Sequence, residues 1–278
     1  MNYTTILVHV DDAPGADDRL NAAAQLARSA QAHLIGLASS GVTAFSRDVV
    51  ATDFSSPAII PYLETLRQRA EHALERFAKA ADICAVQSAE RRQTDDDPFE
   101  VISALGPYVD LTVLDHYGAG PRPDGRHWQV AAEVTARSGC PVLLVPPGLR
   151  PSMPPRRILL AWNASREAAR AMRCAMPLLQ GAEVVDVVMF GDIAKPALQI
   201  CASVEIRQLL SRYGVDANIV PKRGESEVGH ALMELAVASR ADLLVMGCYG
   251  HSRVRELLLG GTTRSVLMSA SVPVLMAE

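Results

Sequence analysis

Very little in this chain of 278 residues suits a disulfide-built, membrane-spanning or nucleic-acid-binding protein. Its five cysteines, Cys84, Cys140, Cys174, Cys201 and Cys248, are odd in number, include no C-x-x-C pair, and three of them lie in apolar segments. Such a set excludes a disulfide framework or a zinc ribbon and implies reduced thiols. Long hydrophobic runs are missing too: LTVLDHY and DLLVMG fall far short of the roughly 20 apolar residues that span a bilayer. The opening MNYTTILVHVDDAPG lacks a basic stretch and a small-residue cleavage site and carries two early acids, so the expected location is cytoplasmic, without membrane contact. Nor is there an excess of positive charge. Residues 1–150 hold 13 basic and 19 acidic side chains, and residues 151–278 hold 14 and 12, for a net charge of −4. This balance argues against a nucleic-acid partner, while the more positive second part suits an anionic ligand there.

What the chain does have is a repeat. TTILVHVDDAPGADDRLNAAAQLARSAQAHLIGLA near the start is matched by RRILLAWNASREAARAMRCAMPLLQGAEVVDVVMF past the midpoint. Each reads as an apolar strand, a polar turn, an Ala/Leu-rich helix and a second strand. VDLTVLDHYGAG likewise matches ADLLVMGCYGHS, and SGCPVLLVP matches ASVPVLMAE. The offset is 152 residues at the start (Ile6 to Ile158) and 132 at the end (Asp115 to Gly247). The first copy therefore holds 20 more residues, expected near 40–62 as a loop or short helices outside the sheet. Between the copies stands PPGLRPSMPP, whose prolines can continue neither helix nor strand. The expected division is 1–147, a proline-rich linker at 148–155, and 156–278.

In the second copy the apolar runs predict strands at 157–162, 183–189, 216–221, 242–247 and 272–276, and helices at 166–180, 198–213, 226–239 and 262–270. Ser165 before REAARAM suits a helix N-cap. Alternating strands and helices with near-continuous apolar strands give an α/β fold class: two tandem, doubly wound, parallel five-stranded sheets related by a pseudo-two-fold axis.

One segment carries chemistry: GCYGHSRVRELLLGGTT, from Gly247 to Thr263, between the fourth strand and the last helix of the second copy. A glycine at the strand end (Gly247) lets a base or ribose approach the backbone, and Gly250 permits the positive φ of a loop folding over phosphates. Gly260 and Gly261 open a helix whose unpaired amides and positive end suit an anion, with Thr262 and Thr263 as hydroxyl donors.

The spacing G-x2-G-x9-G in this strand–loop–helix setting resembles the universal stress proteins, as do ILLAWNASREAARA at the first strand and PVLM at the last, and the resemblance extends over both copies. It implies an adenine-nucleotide alpha-hydrolase-like fold whose ligand lies beside the first strand, at the switch point of the sheet. It also implies ATP or another adenine nucleotide as ligand, held by Ala161, Asn163, Ser165, Met246, Gly247, Gly250, His251, Gly260, Gly261, Thr262 and Thr263. Two departures stand out. Asn163 occupies the place of the family's acidic residue, and Gly261 that of the hydroxyl residue after the third glycine. The first copy departs further, with Asp115 aligned to Gly247, Trp128 and Gln129 aligned to Gly260 and Gly261, and only Gly118 matching, although Asp11 stands at the strand-one position. A carboxylate there would repel phosphates and a Trp would fill the approach, so the first copy reads as a structural partner.

Enzymes of the wider superfold carry HxGH or SGGxDS after the first strand, whereas the turns here read HVDDAPG and AWNASRE. The expected role is therefore a sensor or scaffold in a stress response, not a turnover enzyme, with slow ATP hydrolysis left open. The alternative is a nucleotide-independent module binding an unknown protein partner. His9 with Asp11 and Asp12, or His116 with His127, lack standard metal-ligand spacing, so no metal site is expected and Mg²⁺ enters only as a nucleotide counter-ion. PVLLV (141–145) and PVLMA (273–277) are expected to pair antiparallel, making an internal pseudo-dimer; further homodimerisation is left open. Brief protease digestion should cut within 40–62 or 146–155 before it cuts within 157–162 or 242–247, as read by mass spectrometry of the fragments.

Overall fold

The structure is a computed structural model and describes residues 2–50, 59–115, 127–191, 196–223, 227–248 and 261–278. In the first half β1 (Thr5–Val10) leads to α1 (Ala16–Ala30) and β2 (His33–Ser39). Then come α2 (Val42–Val50), α3 (Ile59–Ile83), β3 (Ser88–Thr94), α4 (Pro98–Leu105), β4 (Leu111–Asp115), α5 (His127–Ser138) and β5 (Val142–Val145). The second half runs β6 (Arg157–Ala161), α6 (Arg166–Cys174), α7 (Met176–Gly181), β7 (Val184–Gly191), α8 (Pro196–Arg212), β8 (Ala217–Arg223), α9 (Val228–Ala238), β9 (Leu243–Gly247), α10 (Thr262–Ser269) and β10 (Val274–Ala277).

The ten strands of the described residues join one sheet in the order β3-β2-β1-β4-β5-β10-β9-β6-β7-β8. Read inward from either edge the order is the same, which is the pseudo-two-fold relation that the repeat predicts. Within each half neighbouring strands are parallel. At the centre β5 and β10 pair antiparallel, with Leu143 opposite Leu275, as expected from the terminal strands. The two five-stranded sheets are thus fused rather than merely adjacent.

The strands are apolar on both sides because both sides are covered. One layer, with Leu20, Leu74, Phe77, Met172 and Leu210 from the helices, packs on Val8, Leu143, Ile158 and Leu275. The other, with Ile102, Val130, Leu232 and Val266, packs on Leu7, Leu144, Leu159 and Met276. Each cluster takes residues from both halves, so the seam lies inside a shared core. The outer edges are polar: β3 carries Glu90, Arg91 and Arg92, and β8 ends in Pro221, Lys222 and Arg223, which discourages further strand addition.

The additional residues of the first copy fall between β2 and β3, where α2 and the 25-residue α3 stand opposite the 17-residue α8. One helix expectation is corrected. The run 166–180 is broken at Ala175, because Pro177 supplies no amide for the preceding turn and instead opens α7. The linker docks against the first half. Met153 is buried and its amide donates to Gln25 Oε1 at 2.9 Å. Gly15 has φ +87°, and a side chain there would meet Pro147 Cα at 2.8 Å. Tyr3 also crosses between halves, donating its hydroxyl to the Cys174 carbonyl at 2.8 Å.

Leu275 is fully buried in the seam, so Leu275→Ala is expected to cost about 2–5 kcal/mol. Because the core is shared, the loss should reach both halves. Each contains one tryptophan, Trp128 and Trp162, and single-tryptophan variants should show both urea midpoints falling. A shift confined to the Trp162 reporter would contradict the shared core.

Candidate functional site

The second-half site is built at the carboxyl ends of β6 and β9, where the strand order reverses. After β6, the Trp162 amide donates to the Val188 carbonyl at 2.9 Å, which ties the chain to the end of β7. Asn163 Oδ1 accepts from the Ser165 amide at 3.1 Å, closing an Asx turn through Ala164, which has φ +60°. Ser165 is the N-cap of α6 as its sequence position predicts, its Oγ accepting from the Ala168 amide at 3.1 Å. This turn aims the first residues of α6 at the end of β9.

Gly247 makes that approach feasible. A Cβ there would lie 2.8 Å from Glu167 Cβ and closer still to the Ala168 amide. The glycine is therefore required by the start of α6 itself, a different reason from the ligand approach that the sequence suggests. On the far side, α10 begins at Gly261, whose backbone is extended and which brings no capping side chain. Gly229 of α9 lets α10 pack closely, since a side chain there would lie 2.9 Å from the Thr262 carbonyl.

Between these elements opens a cavity of about 230 Å³. Of the residues singled out in the sequence, Ala161, Asn163, Ser165, Met246, Gly247, Thr262 and Thr263 line it. Gly261 stands next to it as the cap of α10, while Gly250, His251 and Gly260 lie outside the described residues. Its lining combines apolar side chains, Val188, Phe190, Val228, Leu232 and Met246, with polar ones, Asn163, Ser165, Glu167, Thr262 and Thr263. Sequence reading missed Glu167, which is 6% exposed. Hydrogen bonds from its own amide and from Ser165, together with Arg166, hold its carboxyl below the usual range against an opposing effect of burial. It is ionised at neutral pH.

The first half treats the same place differently. Asp11 and Asp115 occupy the positions of Asn163 and Gly247, and between them lies the guanidinium of Arg19, 1% exposed. Arg19 Nη2 donates to Asp11 Oδ1 at 2.7 Å and Nε to the His9 carbonyl at 2.9 Å. Nη1 stands in ion-pair contact with Asp115 Oδ2 at 3.0 Å. The Asp115 carboxylate thus has a cationic partner within the protein, which the sequence reading did not foresee. Arg19 corresponds to Ala171, and its only sequence signal is a charge on the apolar stripe of α1. The equivalent of Ala161 is His9, buried and packed on Phe99 with ring centroids 5.3 Å apart. Two aromatic rings thus take up the volume that a smaller residue leaves open in the second half. The side chains of Trp128 and Gln129, and all of His116 and Gly118, lie outside the described residues.

Burial pushes the His9 pKa down, and Arg19 adds to this against the pull of Asp11, so the ring is neutral. For Asp11, burial works to raise the pKa, but the Arg19 charge, His9 and hydrogen bonds from Arg19 and the Ala13 amide outweigh it. A second cavity, also about 230 Å³, lies at the carboxyl ends of β1 and β2 beside α3, lined by His9, Val10, Asp11, Asp12, Ser40 and Arg69 among others. Its Asp12 is already bridged by Arg69. Among the described residues no group of three or more His, Cys, Asp or Glu is placed to hold a metal ion, and no helix is long and apolar enough to cross a membrane.

Two measurements check the first-half cluster. Arg19→Met strands two carboxylates in a buried site and should cost about 3–5 kcal/mol in denaturant unfolding at pH 7; a loss under 1 kcal/mol would refute the pairing. His9 has a folded pKa below its unfolded value near 6.5, so the unfolded chain gains the proton first. Stability should therefore fall as pH drops below about 6.5, whereas the Asp11 contribution is intact above the unfolded carboxylate value of about 3.9 and is lost as pH falls from there through its depressed folded pKa. His9→Phe should flatten the slope between about pH 6.5 and 5.

Residues 155–278 match the model of the universal stress protein family. A curated universal stress protein of Synechocystis is 38% identical over 127 residues, 43% of this chain and 41% of that protein; the chain spans about two fifths of that relative. Among solved structures, a universal stress protein from Archaeoglobus fulgidus aligns over 99% of this chain and 96% of its own, with a TM-score of 0.75 and 16% identity. A protein of unknown function from Pseudomonas aeruginosa aligns over 99% and 92%, with a TM-score of 0.60 and 17% identity. The likeness to these two structures is one of fold, carried across both halves.

Proposed function

We propose that this chain, whose residues 155–278 form a universal stress protein domain, holds one adenine nucleotide between β6, β9 and α10. The role is that of a nucleotide-responsive sensor or scaffold rather than a turnover enzyme. The observation that carries this reading is the convergence of seven sequence-selected residues, Ala161, Asn163, Ser165, Met246, Gly247, Thr262 and Thr263, around one cavity. A flat base suits the apolar lining of Val188, Phe190, Val228 and Leu232. The ribose and phosphate then face Asn163 and the uncapped start of α10, where backbone amides and the helix dipole favour an anion. Mg²⁺ would arrive only with the nucleotide.

The first domain, which we place at 1–147 ahead of a linker at 148–155, is the structural partner. There Arg19 lies between Asp11 and Asp115, at the place where the second domain, 156–278, carries the cavity. None of the turns after β1 or β6 carries the HxGH or SGGxDS signature that phosphate displacement needs. The five cysteines are all free thiols, which suits work in a reducing cytoplasm.

Isothermal titration of the full chain with ATP and with AMP should give one site per chain for whichever nucleotide binds. Gly250→Asp puts a charge into the phosphate loop and should cost at least tenfold in affinity, about 1.4 kcal/mol. Gly118→Asp, its counterpart in the first copy, should leave affinity unchanged. Two equivalent sites, or binding indifferent to Gly250→Asp, would place the nucleotide elsewhere. No binding of any adenine nucleotide would favour the interaction-module reading instead.

A further inference from the structure

We propose that Ser88 is a nucleophile that takes an acyl group from thioesters or aryl esters, with His33 as its general base and Glu90 orienting the ring. The three residues stand at the amino ends of β2 and β3, whereas the nucleotide cleft opens at the carboxyl ends of β6 and β9. His33 and Ser88 are partners in the parallel ladder, and Glu90 stands opposite Ile35, two residues further along β2. Alternation along the strands puts all four on one face. Ile35 is buried there in the core beside Ile102 of α4. Ser88 is exposed, and the His33 and Glu90 side chains are 35% and 42% exposed. Arg91, on the other face, meets Glu71 of α3 instead.

Ser88 Oγ lies 2.7 Å from His33 Nδ1, and Nε2 of the same ring lies 3.3 Å from Glu90 Oε2. A hydroxyl within hydrogen-bond reach of an imidazole that is itself held by a third group is the arrangement that activates serine. A carboxylate only accepts, so Nε2 carries the proton of the neutral ring and Nδ1 offers its lone pair to the Ser88 hydroxyl. The two nitrogens exchange places relative to the serine-protease triad, and the roles are the same. Glu90 is fixed in turn: Arg92 Nε donates to Oε1 at 2.7 Å and Nη2 to Oε2 at 3.1 Å. Those bonds, followed by the one from His33, hold its carboxyl below the usual range against an opposing effect of burial. A polar strand face needs only side chains that water can solvate; here four are joined in one chain, from hydroxyl to guanidinium. In the reaction Ser88 Oγ attacks the acyl carbon, and its proton passes to His33 Nδ1. The bond from that carbon to the leaving sulfur or oxygen breaks, the thiolate or aryl oxide departs, and His33 gives its proton to water. Because the site is half open, water carries much of the developing oxyanion charge, which restricts the donors to esters with a good leaving group.

The test is exposure of the full chain to p-nitrophenyl acetate, with peptide mass spectrometry following acetylation at each residue over time. A positioned general base contributes about 10²–10⁴-fold, and solvent screening at this exposed site leaves at least about tenfold. Ser88 should therefore be acetylated at least about tenfold faster than Ser211, an exposed serine in the last turn of α8. His33→Gln should lower the Ser88 rate to that of Ser211. Glu90→Gln should lower it by a smaller factor, and Glu90→Asp, which keeps the carboxylate, should restore part of the loss. The exposed thiol of Cys201 reacts with the same reagent without help from His33. Unchanged rates at Cys201 and Ser211, with unchanged thermal unfolding, show that each variant is folded. Acetylation of Ser88 no faster than Ser211, or a Ser88 rate indifferent to His33→Gln, would overturn the proposal. A rate indifferent to Glu90→Gln would overturn the role of Glu90.

Discussion

Where the order of a parallel sheet reverses, the two strands at the reversal send their chains to opposite faces and leave a gap at their carboxyl ends. This chain has two such gaps, between β1 and β4 and between β6 and β9, and it fills them in opposite ways. At the second, Gly247 removes the side chain, Asn163 turns its carbonyl oxygen back onto the backbone, and a cavity stays open. At the first, both positions carry carboxylates, and a guanidinium from α1 is drawn between them. The Arg19 cluster satisfies a buried charge set that neither aspartate could tolerate alone. A few side-chain differences at the strand ends, Asp11 for Asn163, Asp115 for Gly247 and Arg19 for Ala171, thus separate a switch point lined by a cavity from one crossed by an internal ion-pair cluster.

The seam explains why a closed first half would be kept. β5 and β10 are each the exposed edge of a five-stranded sheet, and their antiparallel pairing covers both edges at once. The helix layers continue across it, so that Leu143 and Leu275 share one cluster while Leu144 and Met276 share the other. A second half without its partner would expose β10 and part of both cores. The first half can lose ligand binding and still be required for the stability of the second.

The fold was legible in the sequence because it is written in repeated apolar strands, and neither the antiparallel pairing of the terminal strands nor the strand alternation depends on fine contacts. Local chemistry was legible only in part. Ser165 was found because a cap is a local signal, whereas the break at Ala175 was missed although Pro177 stood in plain view. Gly247 lines the cavity as its position suggested, but its near contact with the first turn of α6 is something a one-dimensional pattern cannot show. Arg19 and Glu167 were missed altogether. Each is a charge on a helix otherwise read for its apolar face, and each takes its meaning from residues far along the chain: Arg19 from Asp115, Glu167 from Gly247.

The central claim is that the switch point between β6 and β9 is available to a ligand while the one between β1 and β4 is shut by Arg19. Hydrogen exchange of the full chain, followed by mass spectrometry with and without AMP, tests it most directly because it reports both places in one sample. The account predicts slower exchange on adding AMP in peptides covering 158–170 and 243–269, with peptides covering 6–20 and 111–137 unchanged. Protection of the first-half peptides to the same extent, or protection there alone, would contradict it.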